Sequence, residues 1–362
     1  MDRDLVEVHR LLAAGERLAV ATVVRTWRSA PRPAGATMAV TADGRAIGSI
    51  SGGCVEGAVY EVAREVLAGG APRLCRFGVS DDDAFGIGLT CGGTIEVLVE
   101  AADRPDWHHL GAALVARAEE VPVVVATVVE GGPVGASLLV AEDRTAGSLG
   151  SRSLDAEVAA HAGALLTGGP AAVARFGDAA VFLRPFVPRP RLLVLGAIDF
   201  AGPLVRAARL VGYRVTVCDA RAVFATPERF PEADEVVVDW PHRHLARAEV
   251  TATTAICVLT HDPKFDVPAL QVALAGPAAY VGAMGSRRTH EDRLERLRQA
   301  GVSDHQLARL RSPIGLDLGA STAEETAISI LAEVIAARHG ASGRPLGALD
   351  GPIHRGAFAP VA

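Results

Sequence analysis

Leu192-Leu193-Val194-Leu195-Gly196-Ala197-Ile198-Asp199-Phe200-Ala201 sets the architecture of the second half of the chain. Four apolar residues read as a buried strand, Gly196 as a tight turn, and 202–211 as a helix. The same rhythm continues downstream. Short β runs at 191–195, 214–218, 235–238, 255–259 and 278–281 are separated by helical patterns, among them 202–211, 268–275 and 287–300. Alternation of this kind predicts a doubly wound parallel sheet with helices on both faces. A last helix over 322–338 opens at the cap-like Ser321-Thr322-Ala323-Glu324-Glu325.

Upstream, Arg184-Pro185-Phe186-Val187-Pro188-Arg189-Pro190 carries three prolines in seven residues and reads as an extended linker over 184–190. It divides a mixed α+β domain (1–183) from the parallel-sheet domain (191–340), with a Gly- and Pro-rich flexible tail at 341–362. In the first domain a helix ends near Gly15 and a β-branched strand follows over 18–26. A hairpin is expected over 36–50, a helix over 106–119, a strand pair at 121–129 and 137–140, and a helix at 154–166. No internal repeat is evident.

With 49% hydrophobic and 22% charged residues among 362, the composition is that of a globular protein. The net charge of −6 is spread without a basic run, which argues against nucleic acid as a partner. Lys264 is the only lysine, so lysine-dependent phosphate loops and most Schiff-base chemistry are excluded. Five cysteines (54, 75, 91, 218 and 257) make no disulfide framework. The acidic start lacks the features of a signal peptide and no apolar run reaches spanning length, so a cytoplasmic protein with reduced thiols is expected.

Chemistry concentrates in Gly48-Ser49-Ile50-Ser51-Gly52-Gly53-Cys54-Val55-Glu56-Gly57. A strand runs into a Ser-Gly-Gly turn and a helix pattern starts at Val55, placing Cys54 in the first helical turn. There the unpaired N–H groups and the macrodipole favour thiolate, and the amides of Ser51, Gly52 and Gly53 could cradle a phosphate. Cys91-Gly92-Gly93 repeats the theme. The alternative for both is a small buried residue filling a tight turn.

In the second half, Gly196 supplies the turn of a dinucleotide fingerprint and Asp219 ends the next strand, where a ribose would be met. Ile198 replaces the glycine that admits a pyrophosphate, so tight NAD(P) or FAD binding does not follow. Two loops at carboxyl ends of strands offer further groups: Thr260-His261-Asp262-Pro263, and Gly285-Ser286-Arg287-Arg288 as a phosphate or carboxylate clamp. Their plainer readings are loop hydrogen-bonding for His261 and a helix cap with solvated arginines. Asp317 lies in a third Gly-rich turn, and Asp81-Asp82-Asp83 reads as a solvated acidic loop.

Taken with Ser29-Ala30-Pro31-Arg32-Pro33 and Cys91-Gly92-Gly93-Thr94-Ile95-Glu96, the Cys54 segment resembles the amino-terminal domain of the XdhC/CoxI family. Phe230-Pro231-Glu232-Ala233-Asp234, Thr260-His261-Asp262, Tyr280-Val281-Gly282, Gly285-Ser286-Arg287-Arg288 and Pro313-Ile314-Gly315-Leu316-Asp317 resemble that family's Rossmann-like domain. The resemblance runs from about residue 5 to 340. It implies a non-enzymatic chaperone that binds the molybdenum cofactor (molybdopterin or its cytosine dinucleotide form), protects it during sulfuration and inserts it into a molybdenum hydroxylase. Implied partners are a cysteine desulfurase and the large subunit, in its apo form, of a xanthine dehydrogenase- or carbon monoxide dehydrogenase-type enzyme. A homodimer is expected. Cys54 or Cys91 would then touch molybdenum or carry a persulfide, with Arg287 or Arg288 on phosphate. Two rivals stay open: an NAD(P)-dependent oxidoreductase using the second domain, and an interaction scaffold with structural cysteines.

Overall fold

The computed structural model describes residues 2–27, 30, 32–78, 93–102 and 108–350. The chain forms two compact units that divide at Pro188–Arg189. In the first, α1 (Asp2–Ala13), β1 (Leu18–Trp27), β2 (Thr37–Thr41), β3 (Ala46–Gly48), α2 (Glu56–Leu67), β4 (Arg73–Gly78) and β5 (Thr94–Ala101) come in order. They are followed by α3 (His108–Ala118), β6 (Val123–Glu130), β7 (Ser137–Val140), β8 (Thr145–Gly147), α4 (Arg152–Gly163), β9 (Ala172–Phe176) and β10 (Ala179–Phe186).

These two series are the same series. One antiparallel sheet is ordered β3-β2-β1-β5-β4 and the other β8-β7-β6-β10-β9. The registers coincide: Thr22 faces Thr37 and Leu98, while Thr127 faces Ser137 and Phe182. Each central strand carries a β-bulge at the same place, Val24 in one and Val129 in the other. The turn before β2 is also repeated. Gly35 N–H donates to the Val23 carbonyl at 2.7 Å and Gly135 N–H to the Val128 carbonyl at 2.9 Å. The first unit is therefore an internal duplication, which corrects the expectation of no repeat.

Each sheet covers its own helix, with Val59, Ala63 and Val66 of α2 on one and Val158 and Ala162 of α4 on the other. Between the sheets lie Val24, Leu98, Val129, Ala180 and Phe182. With both faces covered, β1 is buried from Leu18 to Val24 and shows no apolar–polar alternation. Counterparts meet across this seam. Arg25 and Glu130 occupy equivalent positions and form an ion pair at 2.7 Å, with Glu96 also on Arg25 at 2.5 Å. Glu100 and Arg184 are equivalent too, both buried, and both line one cavity of about 50 Å³.

The expected linker begins too early. Arg184, Pro185 and Phe186 belong to β10, with Phe186 fully buried. Proline is tolerated because β9 accompanies β10 only to Leu183, so Pro185 has a neighbouring strand on one side.

The second unit contains β11 (Arg191–Leu195), α5 (Ala201–Leu210), β12 (Arg214–Asp219), β13 (Glu235–Val238), α6 (Pro241–Arg247) and β14 (Ala255–Val258). Then follow α7 (Pro263–Ala275), β15 (Tyr280–Ala283), α8 (Arg287–Gln299), α9 (Asp304–Leu307), β16 (Leu310–Arg311) and α10 (Ala323–Arg338). All six strands are parallel, ordered β13-β12-β11-β14-β15-β16, the doubly wound order expected of a Rossmann sheet. Leu192 and Val194 face α5 and α10, while Leu193 and Leu195 face α7 and α8. Among the described residues no helix is long and apolar enough to cross a membrane.

Candidate functional site

After β3, the chain wraps around one carboxylate. Glu56, the first residue of α2, accepts from the hydroxyl of Ser49 at 2.7 Å and from the hydroxyl of Ser51. It also accepts from the amides of Ile50 (3.3 Å), Ser51 (2.9 Å), Gly52 (3.0 Å), Gly53 (2.9 Å) and Val55 (3.2 Å). Burial pushes this carboxyl up, but the serine hydroxyls and the amides outweigh it and bring it down to about 2. Two expectations are corrected here. The helix starts at Glu56, so Cys54 stands before it and not in its first turn. The amides of Ser51, Gly52 and Gly53 already hold an anion, the chain's own.

Cys54 is half-buried, flanked by the α2 core, and its N–H donates to the Ser51 hydroxyl at 3.0 Å. Gly52 and Gly53 have φ of 79° and 116°, conformations that side chains rarely adopt. A Cβ added at Gly52, Gly53 or Gly57 would meet nothing within 4 Å, so the backbone before and after Cys54 is bare. Burial raises the thiols of Cys75 and Cys257 and pushes Cys218 up to about 12. Cys91 and Gly92 lie outside the described residues, as do Asp81, Asp82 and Asp83. Gly93 is buried directly before β5.

The second copy builds the same clasp on a smaller scale. Asp155 accepts from the Ser148 hydroxyl at 2.9 Å and the Leu149 amide at 2.6 Å, as Glu56 does from Ser49 and Ile50. Ser151 caps α4 by accepting from Leu154 N–H at 3.2 Å. The helix consequently begins at Arg152, and the residue standing where Cys54 would be is Ser153, inside α4.

In the second unit, Gly196, Asp219, His261, Asp262, Gly285 and Ser286 gather at the carboxyl ends of β11, β12, β14 and β15. Most are already engaged. Gly196 is needed by packing, since a Cβ there would sit 2.8 Å from the Thr260 methyl. Ile198 leans on the core under α5 and α10. Asp219 is buried and accepts from Ala197 N–H at 2.8 Å and from the Arg221 guanidinium at 2.7 and 2.9 Å. Burial raises its carboxyl, yet these donors hold it below the usual carboxylate range. The carboxylate expected to meet a ribose thus meets Arg221.

Asp262 caps α7 through Lys264 N–H at 3.1 Å, and its carboxylate pairs with the Lys264 ammonium at 2.9 Å. Ser286 caps α8 through Thr289 N–H at 3.1 Å. His261, Arg287, Arg288 and Asp317 are exposed.

Sequence reading passed over the groups that hold these loops. The guanidinium of Arg293 donates to Asp266 at 3.0 Å, to the Met284 carbonyl at 2.7 Å and to the Ser312 hydroxyl at 3.0 Å. Asp266 also accepts from the Thr260 hydroxyl. Both charges are buried, and burial raises the Asp266 carboxyl against the pull of Thr260 and Arg293. An aspartate on the Phe265–Ala269–Leu270–Ala273 face of α7 was the available signal. Glu56 offered one as well, as an acid at a helix start behind two glycines. Among the described residues no three His, Cys, Asp or Glu side chains converge as a metal-ion site.

Known proteins share this architecture. A profile of the XdhC and CoxI family matches residues 11–78 and 116–177, one segment in each copy of the first unit. The XdhC Rossmann domain profile matches 192–334. The chain is 28% identical over 344 residues to a Bacillus subtilis protein named as a probable subunit of xanthine dehydrogenase, covering 91% of this chain and 95% of that one. It is 30% identical over 327 residues to the Escherichia coli molybdenum cofactor insertion chaperone PaoD, covering 90% and 85%. A crystal structure of a Bacillus halodurans protein described as a xanthine dehydrogenase superposes with a TM-score of 0.72 at 27% identity, over 96% of this chain and 98% of that one. With both units matched in order and along nearly their whole length, the chain belongs to the XdhC and CoxI family.

Proposed function

We propose that this protein carries the molybdenum cofactor: it binds the cofactor as cargo and inserts it into an apo molybdenum hydroxylase of xanthine dehydrogenase or carbon monoxide dehydrogenase type. The observation that carries this reading is the Gly52-Gly53-Cys54 loop. In a chain that aligns with PaoD over most of its length, one copy of a duplicated fold has a half-exposed cysteine in a loop of bare glycine backbone, and the other has Ser153 at that place. A soft thiol suits both a molybdenum centre and a persulfide, so Cys54 is assigned to the metal and sulfur end of the cargo. Cys91 is its proposed companion.

Sulfur delivery by a cysteine desulfurase, action in the cytoplasm and assembly as a homodimer belong to the same reading. Asp219 held by Arg221, and Ile198 in place of a glycine, weigh against the oxidoreductase alternative. The test is anaerobic purification with metal and pterin analysis. Wild-type protein should retain molybdenum and pterin and activate apo-hydroxylase. Cys54→Ala and Cys91→Ala should fold yet lose retention or activation. Variants that load the apoenzyme as well as wild type would end the thiol assignment.

A further inference from the structure

We propose that Glu56 is a positioning residue, the built-in anion of the Cys54 loop, so that this loop meets its ligand through sulfur and turns phosphate away. Only the identity of the ligand rests on the cargo reading above.

Two hydroxyls and five amides converge on the Glu56 carboxylate. These are the groups a phosphate would need, because successive amides around glycines form an anion nest. A phosphate could enter only by displacing Glu56, and the expelled carboxylate would remain beside it as a like charge. The carboxylate keeps its charge down to about pH 2, so mild acid does not open the nest.

The second copy shows that the clasp needs no cysteine. Asp155 takes up the Ser148 hydroxyl and the Leu149 amide where Ser153 stands for Cys54. The internal anion is therefore part of how this turn folds. What the first copy adds is Gly52 and Gly53, which delay the helix and leave Cys54 outside it. The cargo's phosphate is consequently held by other groups, and this loop takes the metal or sulfur end.

The experiment uses inorganic phosphate alone and reads the iodoacetamide labelling rate of Cys54 by mass spectrometry. In wild-type protein, phosphate should leave the rate unchanged, at matched ionic strength. In Glu56→Ala the emptied nest should bind phosphate, slowing labelling about tenfold at ten times the dissociation constant. Acetate, replacing the missing carboxylate, should restore the melting temperature of that variant and displace phosphate. Protection of wild-type Cys54 by phosphate overturns the proposal without recourse to any variant. So does a folded Glu56→Ala protein that responds to neither anion. Failure to retain molybdenum or pterin would instead remove the cargo reading and leave the phosphate result standing.

Discussion

The two copies of the first unit share a fold and differ in chemistry. Both bend from a third strand into a helix through a serine and an acid, Ser49 with Glu56 and Ser148 with Asp155. In the second copy, Ser151 caps the helix at once and Ser153 is absorbed into α4. In the first, two glycines with positive φ postpone the helix and hold a cysteine outside it. A shared acid thus sets the turn, while the residues between serine and acid decide whether the turn presents anything.

Exchanging the loops tests this most severely. Cys54→Ser gives the first copy the side chain of the second and should reduce cofactor delivery to background. Its melting temperature should stay within a degree or so, since a half-exposed single-atom change costs little. Placing Ser153→Cys in that background should not restore delivery, because the new sulfur would sit within α4 without flanking glycines. Delivery assays on both proteins decide the matter. Recovery in the double variant would mean that the copies are functionally interchangeable.

The seam between copies offers the next largest effect. Arg25 and Glu130 are counterparts whose charges have diverged, and Arg25 also holds the mostly buried Glu96. Arg25→Glu should cost about 3 kcal/mol, because it takes the cation from the mostly buried Glu96 and sets a third carboxylate beside Glu130, which keeps its 3.4 Å pairing with Arg175. Adding Glu130→Arg should return part of that loss. Urea melts measure both. No coupling between the two substitutions would break the claim that this pair stitches the copies together.

Acid separates the clasp from ordinary surface carboxylates. The Glu56 value falls from the usual 4.5 to about 2 on folding. Its contribution is therefore complete above about pH 4.5 and disappears as pH falls toward 2, on the order of 2 kcal/mol after allowance for solvent screening. Glu56→Gln should flatten that limb of the stability curve. An unchanged acid limb would show that the clasp does not survive in solution.

Much of the second unit was legible because its parallel sheet is covered on both faces. Each strand is then a short apolar run, and 191–195 was bounded as it stands in β11. The duplication was overlooked although it left a trace: Val20-Ala21-Thr22-Val23-Val24 of β1 returns as Val125-Ala126-Thr127-Val128-Val129 of β6, and Arg76-Phe77-Gly78 as Arg175-Phe176-Gly177. Elsewhere identities are sparse, and the chain between β4 and β5 is far longer than the two residues joining β9 to β10. Counterparts across the seam, Arg25 with Glu130 and Glu100 with Arg184, carry opposite charge, which weakens the match beyond that run. The glycines and the cysteine make the Cys54 loop stand out in the sequence, but its electrostatics are not legible there. A sequence shows amides and an acid nearby without showing that one already fills the other. Asp219 repeats the lesson, since only the folded turn brings Arg221 onto it.

The smallest effect isolates room from stability. Gly57 lies in α2 with no positive φ, and a Cβ there would meet nothing within 4 Å. The second copy has Ala156 at the matching place. By helix propensity alone, Gly57→Ala should stabilise the protein by about 0.5–1 kcal/mol. A glycine without a packing or conformational reason is explained if a ligand lies flush against the helix beside Cys54. The expected result is a higher melting temperature together with weaker cofactor retention. A variant that is more stable and retains cofactor as well as wild type would move the ligand away from this face of α2, leaving Gly52 and Gly53 as the only bare backbone it could touch in this loop.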